Sequence, residues 1–366
     1  MKTRLFLPVF VVLTCTLSHT LRAQTTWNEV FNTFKLEARA DIEWNRETVD
    51  VNGTSIGDPG YPYGIHGKYF NLILGGNLGN QFSYHFRQRL KADAGTINFF
   101  DNTDFLWLNY QINDHFRVRF GKDAMAVGGY EYDAPPIDEY ITSAYWDNIY
   151  CFQLGASAAY TTQNGQHTFV GQVTQSPYVN SRRATGEAID WNSGLLSYNI
   201  EWIGTLGRHI STLWSTSMIE RDKGAYMNLT ILGTRYVSTD GKVDLYLDLM
   251  HHALATDDWG KNFGMVFRWN YHLNEKLCLF IKSSYEQNKS EVDLASATMI
   301  DNLVPANHRY TKVGAGCEYY PTPSVRLHAY VADLNDETIS TKTTNMSLAV
   351  NMGATWTMDF KKLFKR

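Results

Sequence analysis

Two short stretches of the chain place cationic side chains on alternate residues. His85, Arg87, Arg89 and Lys91 follow one another two apart, and so do His115, Arg117 and Arg119. In an extended strand successive side chains point to opposite faces, so each series forms a basic rail along one face. Such rails attract anions over a range set by ionic screening. Acids that could oppose them are Glu131 and Asp133, which alternate with Tyr130 and Tyr132, and Asp244 and Asp248, spaced for one face of a further strand. Opposed basic and acidic linings would set a transverse field that orders water and favours charged or dipolar solutes. Signals for covalent chemistry are poor by comparison. Ser and His are scattered, with no Gly-x-Ser-x-Gly or His-Glu-x-x-His, and His251 and His252 would face opposite sides of a strand. Cys151, Cys278 and Cys317 fall in apparent strands without a Cys-x-x-Cys and read as small packing residues. No catalytic group, metal or cofactor is expected, and a net charge of −4 gives no global basic patch for nucleic acid.

The elements that must carry these rails are strands. The chain has 366 residues and is 44% hydrophobic and 14% aromatic, too apolar for disorder, yet its mean hydropathy is slightly negative at −0.32. Lys2 and Arg4, an apolar stretch over 5–17 and a small residue at Ala23 read as an export signal over 1–23, followed by a single domain over 24–366. No later run is apolar enough for a spanning helix. Period-two alternation is widespread instead. Phe34, Leu36, Ala38, Ala40, Ile42 and Trp44 share one face, against Lys35, Glu37, Arg39, Asp41 and Glu43 on the other. The same reading places strands at 33–44, 67–78, 82–92, 103–112, 115–121, 149–161, 166–176, 193–203, 209–219, 225–236, 242–252, 261–273, 276–287, 308–320, 324–333 and 344–358. Tight turns with Asn, Asp and Gly alternate with longer connections, with 220–224 as the one short exception.

Length and pattern together separate two all-β classes. A soluble sandwich packs its apolar face inward, whereas a large barrel in a bilayer turns that face to lipid and keeps a polar, wet lumen. Many of these strands have the length a tilted bilayer crossing needs, and rings such as Trp44, Phe82, Trp202, Tyr271, Tyr319 and Trp356 gather near strand ends as interfacial girdles do. The expectation is an all-β, antiparallel, up-and-down transmembrane barrel of about sixteen strands, with short periplasmic turns and long extracellular loops. Backbone groups in hydrocarbon must all be paired, so strands 33–44 and 344–358 should meet and close it. Arg268, His272, Lys282, Lys312, Arg326 and His328 would line the lumen on later strands, while Arg39, Asp41 and their neighbours neutralise one another.

At this point the chain resembles the outer-membrane porins of the phosphate-selective O and P type. Architecture carries the resemblance, helped by Arg117-x-Arg119-x-Gly121-Lys122 ahead of Gly128, Gly129, Tyr130, Glu131 and Tyr132. The C-terminus departs from the common porin pattern: a basic tail over 361–366 follows Phe360. The resemblance implies a channel for small hydrophilic solutes or anions, in the outer membrane of a Gram-negative bacterium, bathed by outer-membrane lipid and assembled as a homotrimer. It also implies that 122–148 folds into the lumen as a constriction loop, with Tyr130, Glu131, Tyr132 and Asp133 at the narrowing. A non-conducting barrel serving a larger assembly, and a barrel hydrolase, are the competing readings.

Overall fold

The computed structural model describes residues 31–51, 54–60, 63–90, 100, 102–149, 151–179, 194–254, 261–290 and 303–363. Among the described residues seventeen strands make up a single sheet. They are β1 (Thr33–Val51), β2 (Thr54–Gly60), β3 (Tyr63–Leu78), β4 (Phe82–Arg89), β5 (Thr103–Gln111), β6 (Phe116–Ala124), β7 (Phe152–Thr161), β8 (His167–Gln175) and β9 (Leu196–Leu206). The sheet continues with β10 (Ile210–Asp222), β11 (Ala225–Val237), β12 (Val243–Leu254), β13 (Asn262–Asn274), β14 (Leu277–Asn288), β15 (His308–Thr322), β16 (Val325–Thr338) and β17 (Thr343–Asp359).

Sixteen of these strands form a closed antiparallel ring. β1 pairs with β3, each later strand pairs with the next, and β17 returns to β1 in a seam running from Lys35 opposite Asp359 to Val51 opposite Thr343. The remaining strand, β2, pairs with the far end of β1. The segment 45–66 therefore is not an open loop: β1 runs on to Val51 and turns back, so its end satisfies its own backbone donors and acceptors. At the opposite rim, Gly165 and Gly241 hold positive φ of 69° and 68° with open space where a Cβ would stand, the backbone a tight hairpin requires.

Burial runs opposite to that of a soluble protein. Ile42, Phe120, Ile200, Met265, Val331 and Met352 are large, apolar and exposed, whereas Asp41, Asn199, Lys282, Glu286 and Asn351 are polar and almost fully buried. The apolar wall faces out and the polar wall in, the arrangement a bilayer selects. No helix among the described residues is long and apolar enough to cross a membrane.

One sector departs from this rule. On β10 to β13 the buried residues include Ile219, Met227, Leu229, Ile231, Tyr246, Met250 and Val266. They pack against Met125, Val127 and Tyr145 from the segment that follows β6. An inserted segment thus carries a small hydrophobic core into an otherwise polar interior.

Candidate permeation site

The register of β4, β5 and β6 joins the two basic rails end to end. Arg119 stands opposite Asn109, which stands opposite Ser83; Gly121 stands opposite Trp107, which stands opposite His85; Arg87 faces Phe105. The cations therefore climb in a single oblique track: Arg117, Arg119, His85, Arg87, Arg89. His115 is tied off at the lower turn, its Nδ1 3.0 Å from the Thr161 carbonyl oxygen. Lys91 lies outside the described residues.

Aromatic rings on the intervening strands fix the track. Arg119 lies 4.0 Å over Trp107, Arg87 4.5 Å over Phe105, and both Arg87 and Arg89 lie over Phe152, at 5.1 and 5.7 Å. His85 stacks on the other side of the pattern, 5.6 Å from Trp107. Asp104 accepts from Nε of Arg87 and of Arg89, 2.9 Å each, and Asp123 accepts from Arg119 at 2.6 Å. Arg117 has no ion pair among the described residues. Gly121 makes this packing possible. Its φ is 127°, and a Cβ there would collide with the Leu106 carbonyl oxygen and the Trp107 backbone.

The segment after β6 crosses the interior and lies along the far wall. It contains the short helices α1 (Tyr130–Asp133) and α2 (Ala144–Asn148), with a 3-10 turn at Pro136–Asp138 between them. Two carboxylates of the barrel wall hold the two helix starts. Asp248 on β12 accepts from the backbone N–H of Tyr130 and of Glu131, both at 2.9 Å. Glu286 on β14 accepts from the backbone N–H of Ala144 at 2.6 Å and of Tyr145 at 2.8 Å. Between these clamps Lys282 lies 2.7 Å from Glu131 and 2.5 Å from Glu139. Arg39 donates to the carbonyls of Ile137 and Glu139, and Arg326 to that of Ile137 while pairing with Asp138 at 2.6 Å. Tyr140 sits among these cations, stacked 5.5 Å from Phe280 and 4.6 Å beneath Arg39.

The acids therefore do different work from one another. Glu131 is 2% exposed and turned to Lys282 and Ser143, and Asp248 is 1% exposed and spent on α1, so neither faces water across from the basic track. Asp244 is neutralised by Arg235, with bonds of 2.8 and 2.7 Å. Asp133 is exposed to the lumen and has no ion pair among the described residues; desolvation by the wall around it raises its carboxyl pKa above the ordinary value, and nearby Arg235 opposes the rise. The Tyr130 ring lies 6.0 Å from Tyr246, and the Tyr132 hydroxyl donates to the Cys151 carbonyl. Of the later lumen candidates, Arg268, Lys282, Arg326 and His328 are buried, and the first three engage the inserted segment directly.

Sequence reasoning did not single out Asp104, Asp123, Glu286 or the aromatic bed. Asp123 stands four residues after Arg119 and was visible as a local partner. Glu286 shares the alternating face of Lys282, but its partners are backbone groups far away in the chain, which no side-chain pattern reveals.

These features converge with sequence comparison. The model of the family described as phosphate-selective porin O and P matches residues 65–260. The chain belongs to this family. As a porin it forms an outer-membrane channel, and solved structures share its fold at low identity. The outer membrane channel DcaP of Acinetobacter baumannii is 11% identical, with 89% of this chain and 96% of that one covered at a TM-score of 0.60. The anion-selective porin from Comamonas acidovorans is 12% identical, with coverage of 88% and 100% and a TM-score of 0.53. The OmpT outer membrane protein of Vibrio cholerae, in a trimer form, is 10% identical, with coverage of 88% and 99% and a TM-score of 0.51. Among curated proteins no match was found.

Proposed function

We propose that this porin is a passive, non-catalytic channel for small hydrophilic solutes with a preference for anions, narrowed by 122–148 and assembled as a homotrimer after removal of 1–23. The observation that carries the anion preference is the imbalance on the track. Arg87, Arg89 and Arg119 share two acids, Asp104 and Asp123, and Arg117 has no ion pair among the described residues, while the wall acids Asp248 and Glu286 are consumed in holding the inserted segment. The segment starts along β7 and β8 and goes on against the wall from β10 round to β16 and β1; on this reading the passage runs between it and the wall that bears the track. In a low-dielectric enclosure that surplus acts at close range on a passing ion. Anion selectivity in the Comamonas porin and the trimer form of OmpT support the same reading by likeness of fold.

Reversal potentials in a salt gradient across a planar bilayer test it. Anions should pass in excess. Arg117→Gln should reduce that excess, and Asp104→Asn, which releases two guanidinium groups, should increase it. Preferential passage of cations by the unaltered porin would refute the proposal.

A further inference from the structure

The last strand ends in a feature that permeation does not use. β17 descends to Asp359 and passes into a single helical turn, α3 (Phe360–Leu363), on the rim of the tight turns. From there the chain reads Lys361-Lys362-Leu363-Phe364-Lys365-Arg366, four cations about two apolar residues with no acid among them. We infer that this basic run docks the headgroups of anionic phospholipid in the periplasmic leaflet of the outer membrane. The inference goes beyond the channel reading and does not depend on it.

Placement is the first support. Trp356 and Met358 alternate outward on β17, each 43% exposed, and Tyr319 on β15 extends the same belt. Phe360 takes the next outward place, its ring centroid 4.5 Å from that of Phe34 at the foot of β1. A belt of rings at the foot of a barrel wall marks where hydrocarbon gives way to headgroups. The residues that follow at once are Lys361, half-buried, and Lys362, exposed. Their stems can lie along the apolar edge while the ammonium groups reach headgroup height. The acyl chains of a lipid held there would run up beside Trp356 and Met358.

Charge is the second support. The nearest acid in sequence, Asp359, alternates to the lumen face opposite Lys35 and accepts the backbone N–H of Lys361 at 3.1 Å. The turns on either side of the run are neutral: 79–81 between β3 and β4, and 323–324 between β15 and β16, contain no charged residue. Elsewhere on this rim a base comes with an acid, as Lys242 with Asp240 and Lys276 with Glu275. Around the foot of β17 the positive charge is therefore concentrated and uncancelled by its neighbours. A basic run beside a membrane surface is drawn to anionic headgroups, whereas a zwitterionic headgroup offers it no net charge.

The test is lipid binding to the unaltered porin in detergent micelles, read by native mass spectrometry. Dioleoylphosphatidylglycerol and dioleoylphosphatidylcholine, which share acyl chains and differ in headgroup charge, are supplied in equal amounts. The first phosphatidylglycerol should bind about fivefold more tightly than the first phosphatidylcholine, the effect of one basic side chain near an anionic surface. Lys361→Gln, Lys362→Gln, Lys365→Gln and Arg366→Gln combined should bring the ratio to parity and leave the chloride current unchanged. Arg208→Gln and Lys242→Gln, in turns on another part of the rim, should leave the ratio as it is. Equal binding of the two lipids by the unaltered porin, a preference kept in the fourfold variant, or one lost in the turn variants would overturn the inference. So would retention on isolated peptidoglycan through the same four residues without a lipid preference, which would assign the run to the cell wall. The comparison of two lipids on the unaltered porin decides the matter even if a variant fails to fold, and its failure would leave the channel reading standing.

Discussion

At the scale of single residues, the environment of a charge decides what it does, and identical side chains diverge. Asp104 and Asp123 tune the basic track, Asp248 caps a helix, and Asp244 is cancelled by Arg235. Asp133 has no ion pair among the described residues, and the desolvation imposed by the surrounding lumen favours its neutral form. A carboxyl whose pKa is raised gains its proton earlier than an ordinary one as the pH falls. The lumen therefore loses this negative charge at a pH where ordinary carboxylates are still ionised. Anion preference, measured as reversal potential against pH, should rise on acidification above the range where ordinary Asp titrates, and Asp133→Asn should remove that early step. The basic rails were legible in the sequence because alternation alone fixes which side chains share a face. Their merger into a single track was not, because it depends on the register between β4, β5 and β6.

At the scale of elements, the inserted segment is held by inward-pointing carboxylates and cations that belong to strands far away in sequence. A carboxylate accepting two backbone N–H groups satisfies donors that a helix start leaves orphaned. Replacing it with an amide removes the charge, keeps one acceptor oxygen and sets a donor of its own against the second N–H group. Hydrogen bonds to charged groups contribute about 1.5–3 kcal/mol each. Asp248→Asn and Glu286→Gln should each loosen one end of the segment at a cost on the order of 2–4 kcal/mol over the paired bonds. The expected readout is larger and noisier single-channel current, with the barrel still intact. Unchanged conductance and noise in both variants would show that the segment does not narrow the path. A long connection after β6 was readable from the strand spacing, and its inward fold only through the family resemblance that includes Gly128 and Gly129; both adopt positive φ, at 70° and 88°. Which strands would hold it was not readable, since the apolar patch of Ile219, Leu229 and Ile231 looks like any other half of an alternating strand.

At the scale of the whole molecule, stability follows from closure and from the sorting of the two walls. Met352 on β17 is 54% exposed beside the seam with β1. A Lys there would stand in hydrocarbon, and Met352→Lys should cost about 2–4 kcal/mol if the site is near the bilayer midplane. Equilibrium unfolding from lipid vesicles measures this, and Asn199→Lys on the inner wall serves as the contrast, since its charge enters a wet lumen. By itself the sequence determined the strand number, the closing pair and the inversion of polarity. Those follow from a period of two read over long segments, because a strand has only two faces and lipid accepts only one kind. The tertiary structure alone decided which charges remain available to a solute. Asp104, Asp248 and Glu286 are equally acidic on paper, and only the closed ring brings one to arginines and the others to helix starts. Availability depends on distances of about 3 Å between groups remote in sequence, and barrel closure and register set those distances.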